Sequence, residues 1–320
     1  MSHTFKVLVS DPIAAEGVAV LENSGVFAQV DVKTGLKPEE LHAILPQYHA
    51  LVVRSMTKVK AETLAFAPNL RVIGRAGAGV DNVDVVAATA NQTLVMNTPG
   101  GNNNAVAELT LGLLFGLARR LSEANASTKA GKWEKSKLVG VELEGRTLGL
   151  VGLGGIGRIV ARKAAALGMA VLGYDPAVSA ADMAGCGATK ADFDELLSRA
   201  DVVSLHLPLV PATRGMVNAA VFTKMKRGSW LVNASRGGIV VEADLLAALQ
   251  SGQLGAAAVD VFDSEPTSPD NPLLALANVL ASPHIGASTR EAQDNVGIQI
   301  AHQVVRYLRD GTIESAVNSL

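Results

Sequence analysis

The 320-residue chain is too long for one ordinary core, and its 48% apolar and 18% charged residues are globular rather than disordered proportions, so two domains are expected. A formal charge of −2 gives no electrostatic case for nucleic acid or an anionic membrane as a partner. The single cysteine, Cys186, excludes an intrachain disulfide and reads as an unremarkable thiol of a reducing compartment; no Cys/His cluster has zinc spacing, so no metal is expected.

The opening MSHTFKVLVSDP lacks the basic head and long apolar run of a secretory leader. Strands are expected at 6–10, 51–54, 72–74 and 94–96, with a helix at 14–21, and this alternation predicts a parallel sheet. Asn97-Thr98-Pro99-Gly100-Gly101 breaks the pattern, and a long amphipathic segment is expected from roughly 103 to 129. Within it LTLGLLFGLA is too short to span a bilayer, and the chain reads as a soluble cytoplasmic protein.

Alternation restarts at Thr147, with strands expected at 147–153, 170–175, 201–207, 229–235, 255–262 and 278–282. The fold class is therefore α/β, with two doubly wound parallel sheets. Ser288-Thr289-Arg290-Glu291 reads as a capping box opening a last helix, whose apolar face includes Ala292, Val296, Ile300, Val304 and Leu308 and which Gly311 stops.

After the strand at 147 comes VGLGGIG, in which Gly152, Gly154 and Gly157 satisfy G-x-G-x-x-G. The pattern alone is weak; a strand before it, a helix after it and a second strand ending in Asp175 make it a dinucleotide fingerprint. Gly152 allows the tight turn, Gly154 lets backbone N–H groups approach a pyrophosphate, and Gly157 lets helix and strand pack closely. Asp175 lies 18 residues past Gly157, where a carboxylate accepts hydrogen bonds from ribose hydroxyls and repels a 2′-phosphate, so NAD is expected over NADP. Gly77-Ala78-Gly79 imitates the motif, but Asn82 replaces its third glycine and Asp81 and Asp84 oppose a phosphate. That loop reads as a cradle for a small carboxylate, with a plain turn as the alternative.

Ligands of parallel sheets meet the carboxyl ends of strands. Three successive strand ends carry Arg236 (in NASRGG), Glu265 (in DVFDSEP, with Asp260 inside the strand) and His284 (in SPHIGAST). A histidine removes the hydroxyl proton when an alcohol is oxidised, a neighbouring glutamate holds the ring and favours its charged form, and a guanidinium grips a carboxylate by two hydrogen bonds. His206 is the rival base; no acidic residue follows it in the next ten positions, so it takes a cofactor-side or packing role. His3, His42, His49 and His302 have no companion groups and are expected in solvent, and Trp133 in packing or an interface.

VGLGGIG…YDP, NASRGG, AAAVDVFDSEP and SPHIGAST together resemble the D-isomer-specific 2-hydroxyacid dehydrogenases. VVRSMTKV (52–59), VIGRAGAGVDNVD (72–84), VMNTPGGN (95–102), GKWEKSK (131–137) and AVN (316–318) extend the resemblance, in order and over almost the whole chain, toward the phosphoglycerate-oxidising branch. It implies a Rossmann NAD-binding domain at 98–286, inserted into a flavodoxin-like substrate-binding domain of 1–97 completed by 287–320, with the active site in the cleft between. It assigns catalysis to Arg236, Glu265 and His284 and the nicotinamide side to Asp260. Further cofactor contacts are implied at Gly155, Ile156, Tyr174, Pro176, His206, Pro208, Thr213, Ala234, Ser235 and Gly286. The substrate is implied at Arg54, Ser55, Arg75, Gly77 and Ala78.

The reaction so implied is the NAD-dependent oxidation of 3-phospho-D-glycerate to 3-phosphohydroxypyruvate, a step of serine biosynthesis, by a homodimer built around the segment near 100–145, with a tetramer as the alternative. A related small anionic 2-hydroxy acid (glyoxylate, hydroxypyruvate or sulfolactate as the product or substrate) is the second reading, and an NAD-gated, corepressor-like dimer that recruits peptides is the third. The chain ends just after AVN, without the serine-sensing C-terminal domain that many members carry, so no serine feedback is expected. The run Asn102-Asn103-Asn104 leaves the substrate's side chain open.

Overall fold

Strands of a parallel sheet covered by helices on both faces are buried twice over, so short unbroken apolar runs become strands. The computed structural model describes residues 4–320, and His3 lies outside the described residues. The chain divides into two units, Met1–Asn102 with Ala287–Leu320, and Asn103–Gly286.

The first unit holds β1 (Phe5–Val9), β2 (Phe27–Val32), β3 (Ala50–Val53), β4 (Val72–Arg75) and β5 (Leu94–Asn97). All pair in parallel in the order β2-β1-β3-β4-β5, the flavodoxin-like arrangement. Central β3 is buried at every position. Edge strand β2 was not anticipated: Gln29 and Asp31 interrupt its apolar pattern, because it pairs with β1 on one side and leaves the other edge open. Ala316 bridges Met96, and Asn318 accepts the Val95 N–H at 2.7 Å, so the AVN segment lies along β5.

The helix Arg290–Asp310 covers this sheet with Val296, Ile300, Ala301 and Val304, and Gly311 (φ 79) ends it. A Cβ at Gly74 would stand 2.7 Å from Val304, so β4 and the helix need the bare glycine. Thr289, not Ser288, caps this helix, accepting the Ala292 N–H at 3.1 Å. His42 and His49 are also corrected: His42 stacks on Phe66 at 4.5 Å, and His49 Nδ1 accepts the Lys6 N–H at 3.1 Å. Both rings are half-buried, whereas His302 is exposed.

The second unit holds β6 (Thr147–Val151), β7 (Ala170–Tyr174), β8 (Thr189–Lys190), β9 (Val202–Leu205), β10 (Ser229–Asn233), β11 (Leu254–Val259) and β12 (Val279–Ala281). Their order, β12-β11-β10-β9-β6-β7-β8, is the dinucleotide-binding pattern 3-2-1-4-5-6 with a seventh strand added. Seven strands stand where six were expected; β8 is two exposed residues at the sheet edge, too short to leave a pattern. Because β11 ends at Val259, Asp260 lies just past the strand and not inside it.

The amphipathic segment over 103–129 forms two helices, Asn103–Ala118 and Leu121–Lys129. Arg120 turns left-handed (φ 51), and Val141 N–H takes the Ala118 carbonyl at 2.8 Å, which closes the first helix. That helix is buried over most of its surface, whereas the second buries no residue. Among the described residues no helix is long and apolar enough to cross a membrane.

Candidate active site

Where β6 ends, the chain turns through Gly152 at φ 94, a conformation that only glycine adopts cheaply, and enters the helix Gly155–Ala166. A Cβ on Gly152 would lie 2.4 Å from the His206 carbonyl oxygen, and one on Gly157 would lie 2.1 Å from the Gly152 carbonyl oxygen. Strand, turn and helix therefore close only with hydrogens at both positions. Gly154 faces open space and is exposed, which leaves the backbone bare where a pyrophosphate approaches. A cradle of this kind fits NAD.

The carboxylate expected to read the ribose is tied into the same loop. Asp175 Oδ2 accepts the Leu153 N–H at 2.8 Å and Oδ1 accepts the Ala177 N–H at 2.9 Å, so the glycine turn and the end of β7 are fastened together. Each oxygen retains acceptor capacity for a hydroxyl. Beside it Tyr174 packs on Phe193 at 5.1 Å and its carbonyl accepts the Gly152 N–H, while Pro176 is exposed and Ile156 half-buried in the first helical turn. The Asn102-Asn103-Asn104 run was set on the substrate side, but Asn103 lies at the glycine loop: its amide nitrogen stands 2.1 Å from where a Cβ of Gly155 would be.

The ends of β10, β11 and β12 carry the three side chains expected to react. His284 Nδ1 donates to Glu265 Oε2 at 2.6 Å, which leaves Nε2 as the working nitrogen of the neutral ring. Burial by itself raises Glu265; the hydrogen bonds from His284 and the Phe262 N–H, and the charges of His284 and Arg236, outweigh it and hold Glu265 below the usual carboxylate range. Arg236 therefore acts electrostatically on the same carboxylate. Its own Nη1 donates to the Ser235 carbonyl at 2.7 Å.

Asp260 is 0% exposed. Its carboxylate accepts the Ser282 hydroxyl at 2.6 Å and the Ile285 and Gly286 N–H groups at 2.9 Å each. The structure thus gives Asp260 the work of folding the turn that carries His284, with no surface of its own presented, and Gly286 serves the same turn. Ser235 Oγ donates to Asn233 Oδ1 at 2.7 Å, and Ala234 is buried beside it, so both shape the end of β10. Thr213 Oγ1 donates to the Pro208 carbonyl at 2.6 Å and accepts the Val210 N–H at 2.9 Å, closing the loop after β9.

His206 starts that loop. The residue is half-buried and its Nδ1 is out of solvent, and the burial pushes the imidazole down to about 4. Nε2 lies 3.0 Å from Ser204 Oγ, and among the described residues no carboxylate partners it. A ring that resists charging this strongly is a poor acceptor of a hydroxyl proton.

In the first unit, Arg54 lies at the tip of β3, and burial lowers its guanidinium while Asp11 pulls the other way. Asp11, 1% exposed, accepts the Arg54 N–H at 2.6 Å and the Thr57 hydroxyl at 2.6 Å. Asn82 Nδ2 donates at 2.7 Å to both the Arg54 and Thr57 carbonyls. Ser55 is exposed within the loop so held. Sequence reasoning missed Asp11 and assigned Asn82 only the place of a lost glycine. At the tip of β4, Arg75 Nη1 lies 1.8 Å from where a Cβ of Gly77 would be, so the guanidinium covers that glycine. The Gly77 N–H itself is used by Thr98 Oγ1 at 2.7 Å, and the Ala78 carbonyl by Asn97 at 2.5 Å, so an anion cradle here cannot draw on the Gly77 N–H.

Residues 111–286 match the family model described as D-isomer specific 2-hydroxyacid dehydrogenase, NAD binding domain. The chain is 48% identical over 313 residues to a D-3-phosphoglycerate dehydrogenase of Archaeoglobus fulgidus, covering 98% of this chain and 59% of that protein. It is 46% identical over 314 residues to the rat D-3-phosphoglycerate dehydrogenase, covering 98% of this chain and 58% of that one, so it spans a little under three fifths of the length of these relatives. A solved NAD⁺-bound 3-phosphoglycerate dehydrogenase of Entamoeba histolytica superposes with a TM-score of 0.82 at 29% identity, covering 99% of both chains.

Proposed function

This chain belongs to the D-isomer-specific 2-hydroxyacid dehydrogenases, and from that premise we propose that it oxidises 3-phospho-D-glycerate to 3-phosphohydroxypyruvate with NAD. The observation that carries the proposal is the 2.6 Å contact between His284 and Glu265, with the charge of Arg236 acting on the same carboxylate. The identity to two phosphoglycerate dehydrogenases supports the choice of substrate.

In this reading Asn103–Gly286 is the cofactor unit, and Met1–Asn102 with Ala287–Leu320 the substrate unit. Arg236 grips the substrate carboxylate through its planar fork. His284 Nε2 takes the proton of the C2 hydroxyl, and Glu265 stabilises the imidazolium through Nδ1. NAD would be held at the open backbone of Gly154 and by Asp175, with Gly152 and Gly157 shaping the turn, and when bound it would supply the acceptor for the hydride on C2. Arg54 and Arg75 read the distal phosphate, with Ser55, Gly77 and Ala78 shaping their loops.

A kinetic comparison of phosphoglycerate with glyoxylate and hydroxypyruvate tests the substrate. Turnover of the uncharged-tail acids alone would overturn it. For the assembly we propose a homodimer through the segment around 121–139, where Trp133 (87% exposed), Val139 (75%) and Leu121 (53%) stand at the surface; light scattering on the purified chain tests it. The compartment proposed is the cytoplasm.

A further inference from the structure

The loop that carries Glu265 has little packing to hold it. Core packing stops at Phe262 and resumes at Leu273, and of residues 263–270 every one but Thr267 is exposed. A cavity of about 400 Å³, lined by Ala243, Leu246, Thr267 and Leu273 among others, lies between this loop and the start of the helix Glu242–Gln250. Apolar burial cannot therefore fix where Glu265 stands, and hydrogen bonds must.

One carboxylate supplies them at both ends. Glu242 Oε1 accepts the Asp263 N–H at 2.8 Å, and Glu242 Oε2 accepts from Asn271 Nδ2 at 3.0 Å. Asn271 passes the hold on: Nδ2 also donates to Thr267 Oγ1 at 3.0 Å, and Oδ1 accepts the Leu273 N–H at 3.0 Å. At the Asp263 end a second carboxylate adds to the hold: Asp263 Oδ1 accepts the Gly238 N–H at 2.7 Å, two residues beyond Arg236. Glu242 sits in the first turn of its helix, where a negative charge is stabilised, so the staple costs its own helix nothing.

We propose that Glu242 is a positioning residue for the reaction: by stapling both ends of the Glu265 loop it fixes Glu265 under His284 Nδ1. The inference rests on the proposed roles of His284 and Glu265. It requires no contact between Glu242 and substrate or cofactor. Two oxygens are needed, each as an acceptor, and the side chain must be long enough to reach across the loop.

The test uses Glu242→Gln, which presents a donor to one of two donors, and Glu242→Asp, which keeps the charge at the helix start but is one methylene shorter. The readout is the imidazole Nδ1 proton signal of His284 by NMR, assigned with a His284→Gln variant, with circular dichroism showing that each protein is folded. Both variants are expected to shift or broaden that signal toward the position seen in Glu265→Gln. With the substrate that the wild type turns over, kcat should fall roughly 10- to 100-fold, as for a group misplaced by about an ångström, while KM and NADH affinity stay within about twofold. A wild-type Nδ1 signal in both folded variants overturns the inference, as does a loss confined to KM. A shifted signal in variants of a protein that turns over no 2-hydroxy acid would sink the proposed reaction and leave the staple standing.

Discussion

Asp260 holds His284 through its main chain and its side chain at once: its carbonyl accepts the His284 N–H at 2.8 Å, while its carboxylate gathers Ser282, Ile285 and Gly286 around the turn. The hold is needed because His284 has φ 52, a left-handed conformation that costs a non-glycine residue about 1–3 kcal/mol. Asp260→Asn replaces one acceptor oxygen with a donor facing donors. Stability should fall by at least about 1–3 kcal/mol, the cost of one buried bond lost, and kcat should fall with it. Thermal unfolding and steady-state kinetics check this; an unchanged kcat would mean the turn keeps its shape without the carboxylate.

His284→Ala should lower kcat by roughly 10²- to 10⁴-fold, the range for losing a general base, with NADH affinity hardly moved in a fluorescence titration. His206→Gln should cost far less in kcat, because burial pushes His206 to about 4 and no carboxylate steadies its charged form. The reverse ranking of the two variants would transfer the proton to His206.

Glu265 is held below the ordinary carboxylate range in the folded chain, against about 4.3 when unfolded. A depressed folded value contributes stability that is fully present above the unfolded value and is lost as pH falls through the folded one. Thermal shifts of wild type and Glu265→Gln should therefore converge as pH drops below about 4.3, where the carboxylate is protonated. A gap that goes on widening below that pH would contradict the sign.

Asp175→Ala should move the ratio of NAD to NADP affinity toward NADP by removing the charge that opposes a 2′-phosphate. Affinity for both should drop as well, since the Leu153 and Ala177 N–H groups lose their acceptor and the glycine turn loosens. Titration with both cofactors measures the two effects separately. An unchanged ratio would mean another group reads the ribose.

Asn82→Ala removes the donor shared by the Arg54 and Thr57 carbonyls and so frees the Arg54 loop. Under the proposed role of Arg54, KM for phosphoglycerate should rise roughly 10-fold with kcat little changed. An effect on kcat alone would place Arg54 elsewhere in the reaction.

Local signals were legible where backbone geometry demands a residue type. Gly152 and Gly157 could be read from spacing because a Cβ at either meets a carbonyl oxygen. The central strands were legible because double burial leaves an unbroken apolar run, whereas β2 and β8, at sheet edges, carry no such run. Arg236, Glu265 and His284 could be singled out because each follows a strand of one parallel sheet, and such ends lie side by side.

The amino-acid sequence by itself thus determined the two parallel sheets, the glycine turn and which strand tips carry Arg236, Glu265 and His284, since these follow from periodicity and from neighbours a few residues away. Only the tertiary structure decided what fastens them: Asp11 to Thr57 across 46 residues, Asp175 to Leu153 across 22, Glu242 to Asp263 across 21 and to Asn271 across 29. Such bonds join loops that crossover helices bring to the same sheet end. A polar side chain's partner there depends on sub-ångström placement after the core has packed, which leaves no trace in residue spacing.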